Sequence, residues 1–197
     1  MESSEPMALS LNPRRIVVAV TGASGALYAR LLMQALHGWA APEAELSVVF
    51  SKNARMVWQH ELGEVRLPES FREYAPNDFT APFASGSSLT DTMIVCPCSM
   101  GTLGRIAHGI SDGLITRGAD VMLKERRRLI LVVREMPYSL IHLRNMCAVT
   151  EAGGLVCAAS PAFYPGPGSV DELALTVVHR VLGLAGIPAD AYRWAGG

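Results

Sequence analysis

The sequence predicts a doubly wound α/β fold in one domain, on three observations. Five short apolar runs recur along the chain, with helical patterns between them. The runs are rich in Val and Ile and mostly continuous rather than alternating, as in strands of a parallel sheet covered on both faces. No internal repeat and no linker divides the 197 residues, a length that suits a single core.

The strands are expected over residues 16–20, 46–50, 92–96, 129–133 and 155–159. Leu27, Leu31, Ala35 and Leu36, with Trp39 beyond, form an apolar stripe on a helix starting at about Ala26. Further helices are expected over 53–62, 100–108, 114–125 and 139–152. A final helix, beginning after Ser169, has the clearest start. Ser169 and Glu172 have the spacing of a capping box, and Leu173, Val177, Val178 and Val181 follow on one face. Residues 63–91 hold Pro68, Pro76, Pro82 and Gly86 and read as one long irregular stretch, a length usually reserved for functional or mobile loops. Residues 1–13 read as a loose tail before the domain at 14–197. They carry Glu2 and Glu5 and no basic residue, unlike a secretory signal.

Composition narrows the function classes. Charged residues make up 18% of the chain, against roughly 25% in ordinary soluble domains. The shortfall points to surface buried between copies of the chain, although a large core would also lower it. A net charge of −1 provides no field for nucleic acid, and no apolar run approaches the ~20 residues of a membrane span. Cys96, Cys98, Cys147 and Cys157 lie in or beside apolar stretches without the second pair that a zinc site needs, so no metal is expected. A reduced, cytoplasmic location fits such thiols.

Chemistry is expected at the carboxyl ends of the strands, near the point where strand order reverses. Thr21-Gly22-Ala23-Ser24-Gly25-Ala26 joins the first strand to a helix, and such a turn lets a nucleotide or flavin reach backbone N–H groups. It would equally serve as a plain tight turn. A short-chain dehydrogenase would need more glycines here and a Tyr followed four residues on by Lys. The two lysines, Lys52 and Lys124, do not follow a Tyr at that spacing. Ser51 stands after the second strand where a nicotinamide site would want an acid, so FMN is favoured over NAD. Ser85-Gly86-Ser87-Ser88 makes a nest for an anion or a flavin edge, or a solvated loop. Cys96-Pro97-Cys98-Ser99 ends the third predicted strand. Lys124 with Arg126–Arg128 reads most simply as a solvated helix end, while Arg134-Glu135 is either a site pair or a structural ion pair. His60 and His142 fit helix surface or core positions.

These blocks, in order, resemble the UbiX-type flavin prenyltransferases. The match also takes in Ala119-Asp120-Val121, Lys124-Glu125-Arg126-Arg127, Pro137-Tyr138-Ser139, Asn145-Met146 and Pro161-Ala162-Phe163-Tyr164, running from about residue 14 to residue 194. The resemblance implies a flavodoxin-like or Rossmann-like fold. It also implies a metal-independent enzyme that joins a dimethylallyl group from dimethylallyl phosphate to N5 and C6 of reduced FMN. The product, prenylated FMN, would serve a separate UbiD-type decarboxylase, and the chain would assemble as a homododecamer.

Carried over residue by residue, the resemblance implies flavin contacts at Gly22, Ala23, Ser24, Ser51, Ser87 and Arg117. It implies a donor-phosphate clamp of Lys124, Arg134, Tyr164 and Arg180, and proton handling by Ser24, Glu61 and Glu135. Trp194 follows Arg193 as in relatives. The alternative is an FMN-dependent cysteine decarboxylase of the phosphopantothenoylcysteine or lantibiotic-peptide type. Those enzymes usually carry a Pro-Ala-Ser-Ala-Asn-Thr-like block where this chain has Pro97 to Thr102. A flavin-storage or partner-binding module is the non-enzymatic reading.

Overall fold

The computed structural model describes residues 14–39 and 44–189. The expected tail over residues 1–13, and Arg193 with Trp194, lie outside the described residues. Among those described, the chain runs β1 (Arg15–Val20), α1 (Ala26–Trp39), β2 (Glu45–Phe50), α2 (Lys52–Leu62), β3 (Phe71–Tyr74), β4 (Thr92–Cys98), α3 (Met100–Ala107), α4 (Leu114–Lys124), β5 (Arg128–Val133), α5 (Leu140–Glu151), β6 (Leu155–Ala158) and α6 (Val170–Leu184). The strands form one six-stranded sheet in the order β3-β2-β1-β4-β5-β6, and every pair is parallel. Strand order therefore reverses between β1 and β4, the point at which such sheets bind their ligands.

The continuous apolar runs have the anticipated cause. In β1, Ile16, Val18 and Val20 enter the core under α1 and α6, while Val17 and Ala19 enter the core under α3 and α4. With both faces covered, no position is left for a polar residue. The expectation of full cover fails at β6, an edge strand whose Leu155 and Ala158 are exposed.

Residues 63–91 are more ordered than the sequence suggests. They contain β3, which pairs with the outer edge of β2. Its sequence, Phe-Arg-Glu-Tyr, neither alternates nor runs apolar, because only the end residues are buried and the central charges face solvent. Pairing with an already formed strand, rather than propensity, defines it. The chain then crosses the α3–α4 side with Ala81, Phe83 and Ala84 buried. The Phe83 ring meets Tyr74 edge-on at 5.4 Å.

Serines open four of the helices. Ser51, Ser99, Ser139 and Ser169 each accept an N–H from the first turn of α2, α3, α5 and α6. The α5 cap is reciprocal, since the Ser139 N–H donates to His142 Nδ1 at 3.2 Å. At α6 the box is shifted by one residue: Glu172 accepts the N–H of Gly168, at 2.6 Å, rather than that of Ser169.

Candidate active site

At the switch point a buried hydroxyl joins two turns. Thr21 Oγ1 donates to the Pro97 carbonyl at 2.7 Å and accepts the Ser99 N–H at 2.8 Å. Gly22 follows, and a Cβ there would lie 2.6 Å from Asn53 Cβ, so only glycine lets the start of α2 sit this close. Gly25 has φ 108°, which a side chain would resist.

Beyond it the Glu61 carboxylate, from the last turn of α2, accepts the N–H groups of Gly25 at 3.0 Å and Ala26 at 2.8 Å. It thereby places a negative charge on the N-terminus of α1. Partial burial pushes the Glu61 carboxyl up. The Ser24 hydroxyl, the N–H groups of Ala26 and Gly25 and the Arg134 charge outweigh it and hold the group below its ordinary value. Glu61 and Ser24 are thus in contact. Ser51 stands at the same sheet edge, where its oxygen caps α2 by accepting the Ala54 N–H at 3.1 Å; its own proton remains available to a ligand.

Arg134 and Glu135 follow β5 at this edge. The backbone N–H of Arg134 donates to the Cys98 carbonyl at 3.2 Å, which places the pair beside the turn after β4. No ion pair joins Arg134 to Glu135 among the described residues. Glu135 instead accepts the N–H of Met136 at 3.0 Å. The structural ion-pair reading therefore fails, and the Arg134 charge is directed at Glu61 and Tyr28. Burial pushes the Tyr28 phenol up, the nearby Cys96 adds to that, and Arg134 opposes both. Burial also drives the Cys96 thiol far upward and that of Cys98 to about 12, so neither supplies a thiolate at neutral pH.

Three of the expected site residues, Lys124, Ser87 and Arg117, stand away from this crevice within one chain. Lys124 ends α4 at the amino edge of the sheet, just before β5 begins, where its ammonium pairs with Glu125. Both side chains press on Gly86: a Cβ at Gly86 would lie 2.6 Å from Lys124 Nζ. Ser87 lies in that loop, its hydroxyl 2.9 Å from Ser85 Oγ. Arg117 donates to the Ala84 carbonyl at 3.0 Å and pairs with Asp120 at 3.1 Å. Ser87, Arg117 and Lys124 therefore gather around the 84–88 loop, not around Gly22. Tyr164 and Arg180 both line a cavity of about 890 Å³ formed by the loop after β6 and α6, and the Arg180 charge reaches Cys157, itself a neighbour of Cys96 near the end of β4.

Sequence reasoning put Thr21 in the turn but missed its tie to Pro97 and Ser99, and it missed Tyr28 and Asn53 as neighbours of that turn. The spacing of Thr21 and Tyr28 around the Gly22–Gly25 turn was a usable signal. Asn53 had none, since its closeness to Gly22 depends on α2 lying across the turn.

The family model described as Flavoprotein matches residues 4–178. A flavin prenyltransferase UbiX of Thermoplasma acidophilum is 47% identical over 185 residues, covering 91% of this chain and 99% of that protein. The structure of AnUbiX (PadA1) in complex with FMN and dimethylallyl pyrophosphate superposes with a TM-score of 0.84 at 44% identity, covering 94% of this chain and all (100%) of the other. A dodecameric FMN-dependent UbiX-like decarboxylase from Escherichia coli O157:H7 also reaches 0.84, at 42% identity over 92% of this chain and 100% of that one. A PPC decarboxylase variant shares the fold alone, at 19% identity and a TM-score of 0.57 over 77% of this chain and 84% of that one.

Proposed function

Because the chain belongs to the UbiX-type flavin prenyltransferase family, we propose that it joins a dimethylallyl group from dimethylallyl phosphate to reduced FMN and releases prenylated FMN. The observation that carries this reading is the switch point between β1 and β4, where Glu61 binds the start of α1 beside Ser24 and feels the Arg134 charge, with Ser51 and Glu135 at the ends of the flanking strands. Such a site fits a flat flavin against a backbone that no side chain obstructs, with a cation left for an anionic leaving group.

Reduced FMN supplies the nucleophile, its N5 atom. The chain's own groups supply the rest. Gly22, Ala23, Ser24 and Ser51 hold the ring, and Arg134 draws charge onto the departing phosphate without a metal. Ser24 and Glu61, already in contact, move a proton at the flavin edge, while Glu135 shares one with the phosphate.

Lys124, Ser87 and Arg117 reach the site from a second copy of the chain, so the working enzyme is a homo-oligomer, a dodecamer like its relative. Exposed apolar side chains in the segments after β5 and β6 support this assembly, among them Met136, Leu140, Ile141 and Phe163. Tyr164 and Arg180 complete the phosphate clamp. The product passes to a UbiD-type decarboxylase in the cytoplasm. Among the described residues no helix is long and apolar enough to cross a membrane, and no group of three or more His, Cys, Asp or Glu side chains could hold a metal ion.

Incubation with reduced FMN and dimethylallyl phosphate, followed by mass spectrometry of the flavin, tests the reading. A gain of one prenyl unit is expected. An unchanged flavin with both dimethylallyl phosphate and the diphosphate would refute it.

A further inference from the structure

Tyr164 stands on a loop that α6 holds at both ends. At one end the hydroxyl of Thr176 accepts the N–H of Ala162 at 3.0 Å and donates its own proton to the Leu173 carbonyl at 2.7 Å. With that one proton committed inside the helix, the oxygen can only accept from the loop. At the other end the Glu172 carboxylate accepts the N–H of Gly168 at 2.6 Å.

Residues 163–167 run between these anchors. The N–H of Gly166 donates to the Phe163 carbonyl at 3.0 Å and closes a turn around Tyr164. Gly166 sits at φ 70°, where a side chain would be strained, and Pro165 and Pro167 each fix their own φ. Tyr164 is largely exposed, so this backbone sets where its ring can reach.

Glu172, Thr176 and Arg180 follow one another at intervals of four residues in α6 and so share one face of the helix. All three line the cavity of about 890 Å³, together with Ala162 and Tyr164. A single helix face therefore both fastens the loop and presents the guanidinium of Arg180.

We propose that Thr176 is a positioning residue for the prenyl donor: its tie to Ala162, with that of Glu172 to Gly168, holds the loop so that Tyr164 meets the same phosphate as Arg180. The inference rests on the prenyl-transfer reading, which supplies the donor.

The test is calorimetric titration of dimethylallyl phosphate into the full-length protein loaded with oxidised FMN, whose N5 is not nucleophilic and leaves the donor intact. Thr176→Val removes the acceptor and keeps the shape of the side chain. Donor affinity should fall about tenfold, because only the held arrangement of the loop binds, while FMN affinity stays. Thr176→Ser should restore the donor. In a Tyr164→Ala background Thr176→Val should cost nothing further, since it acts through the tyrosine. Hydrogen exchange at the Ala162 amide, read without donor, should quicken in Thr176→Val. Glu172→Ala frees the other anchor from an exposed position and should weaken the donor in the same way, even if Thr176→Val fails to fold. Unchanged donor affinity in these variants overturns the proposal. So does unchanged exchange at Ala162, an equal loss of FMN affinity, or the full loss persisting in the Tyr164→Ala background. A parent that binds neither dimethylallyl phosphate nor the diphosphate would sink the prenyl-transfer reading and this inference with it. A parent that binds the donor, with variants that bind it equally well, would sink this inference alone.

Discussion

Lys124 and Arg134 stand at opposite ends of β5. The strand has six residues and so separates its ends by roughly 20 Å, too far for both cations to touch one phosphate in the same chain. If both act on one donor, they come from different copies.

Mixing two inactive variants tests this arrangement. Lys124→Ala and Arg134→Ala should each lower turnover on the order of 10²–10³-fold, the scale for removing one charge-stabilising contact. Co-assembled from mixed, refolded chains, they should recover activity, because some sites then draw both native cations from different copies. Mixtures no more active than either parent would place both residues in one chain's site, or Lys124 outside it.

The Thr21 tie predicts a loss of stability with a local signature. Thr21 is buried, and Thr21→Val removes its hydroxyl and leaves the Ser99 N–H without its partner. Denaturant titration should show a loss of about 1–3 kcal/mol. FMN affinity should fall as the turns after β1 and β4 separate. Thr21→Ser should restore both. A valine variant as stable as the parent would show that the tie contributes little.

Glu61 predicts a pH dependence. Its carboxyl lies below the ordinary value of 4.5 in the fold, because the hydrogen bonds and the Arg134 charge outweigh burial. A depressed carboxyl contributes stability above its unfolded value, and that contribution is lost as pH falls through the folded value. The melting temperature should therefore fall below about pH 4.5, and Glu61→Gln should flatten that part of the curve. Parallel acid limbs for the two proteins would contradict it.

Glu135→Gln keeps shape and hydrogen bonding but cannot deliver a proton. It should fold, bind FMN and form prenylated flavin far more slowly, on the order of 10²-fold or more. Single-turnover absorbance with reduced FMN and donor, alongside a thermal melt, reads both. Near-normal turnover with a lowered melting temperature would return Glu135 to a structural role.

The parallel sheet was readable because burial on both faces leaves a local trace: Ile16 to Val20 has no polar position. The Ser169 cap was readable for a similar reason, since a serine one step before a periodic apolar stripe acts within a single turn. The short strand β3 left no such trace. Phe71 and Tyr74 flank two charges, and the segment becomes a strand only when β2 offers it an edge. The Glu61 contact was equally hidden, because nothing near residue 61 indicates that α2 crosses to the start of α1.

The amino-acid sequence by itself determined the parallel α/β architecture, the Gly22–Ser24 turn and the family, because local hydrophobic pattern and short ordered motifs encode each of them. Tertiary structure alone decided which of those motifs share a site. Motif order along the chain carries no information about which sheet edge a residue reaches. The family resemblance groups Lys124 and Arg134 in one clamp without saying whether one chain supplies both. The direction of β5 puts them at opposite edges, and only chain geometry could reveal that.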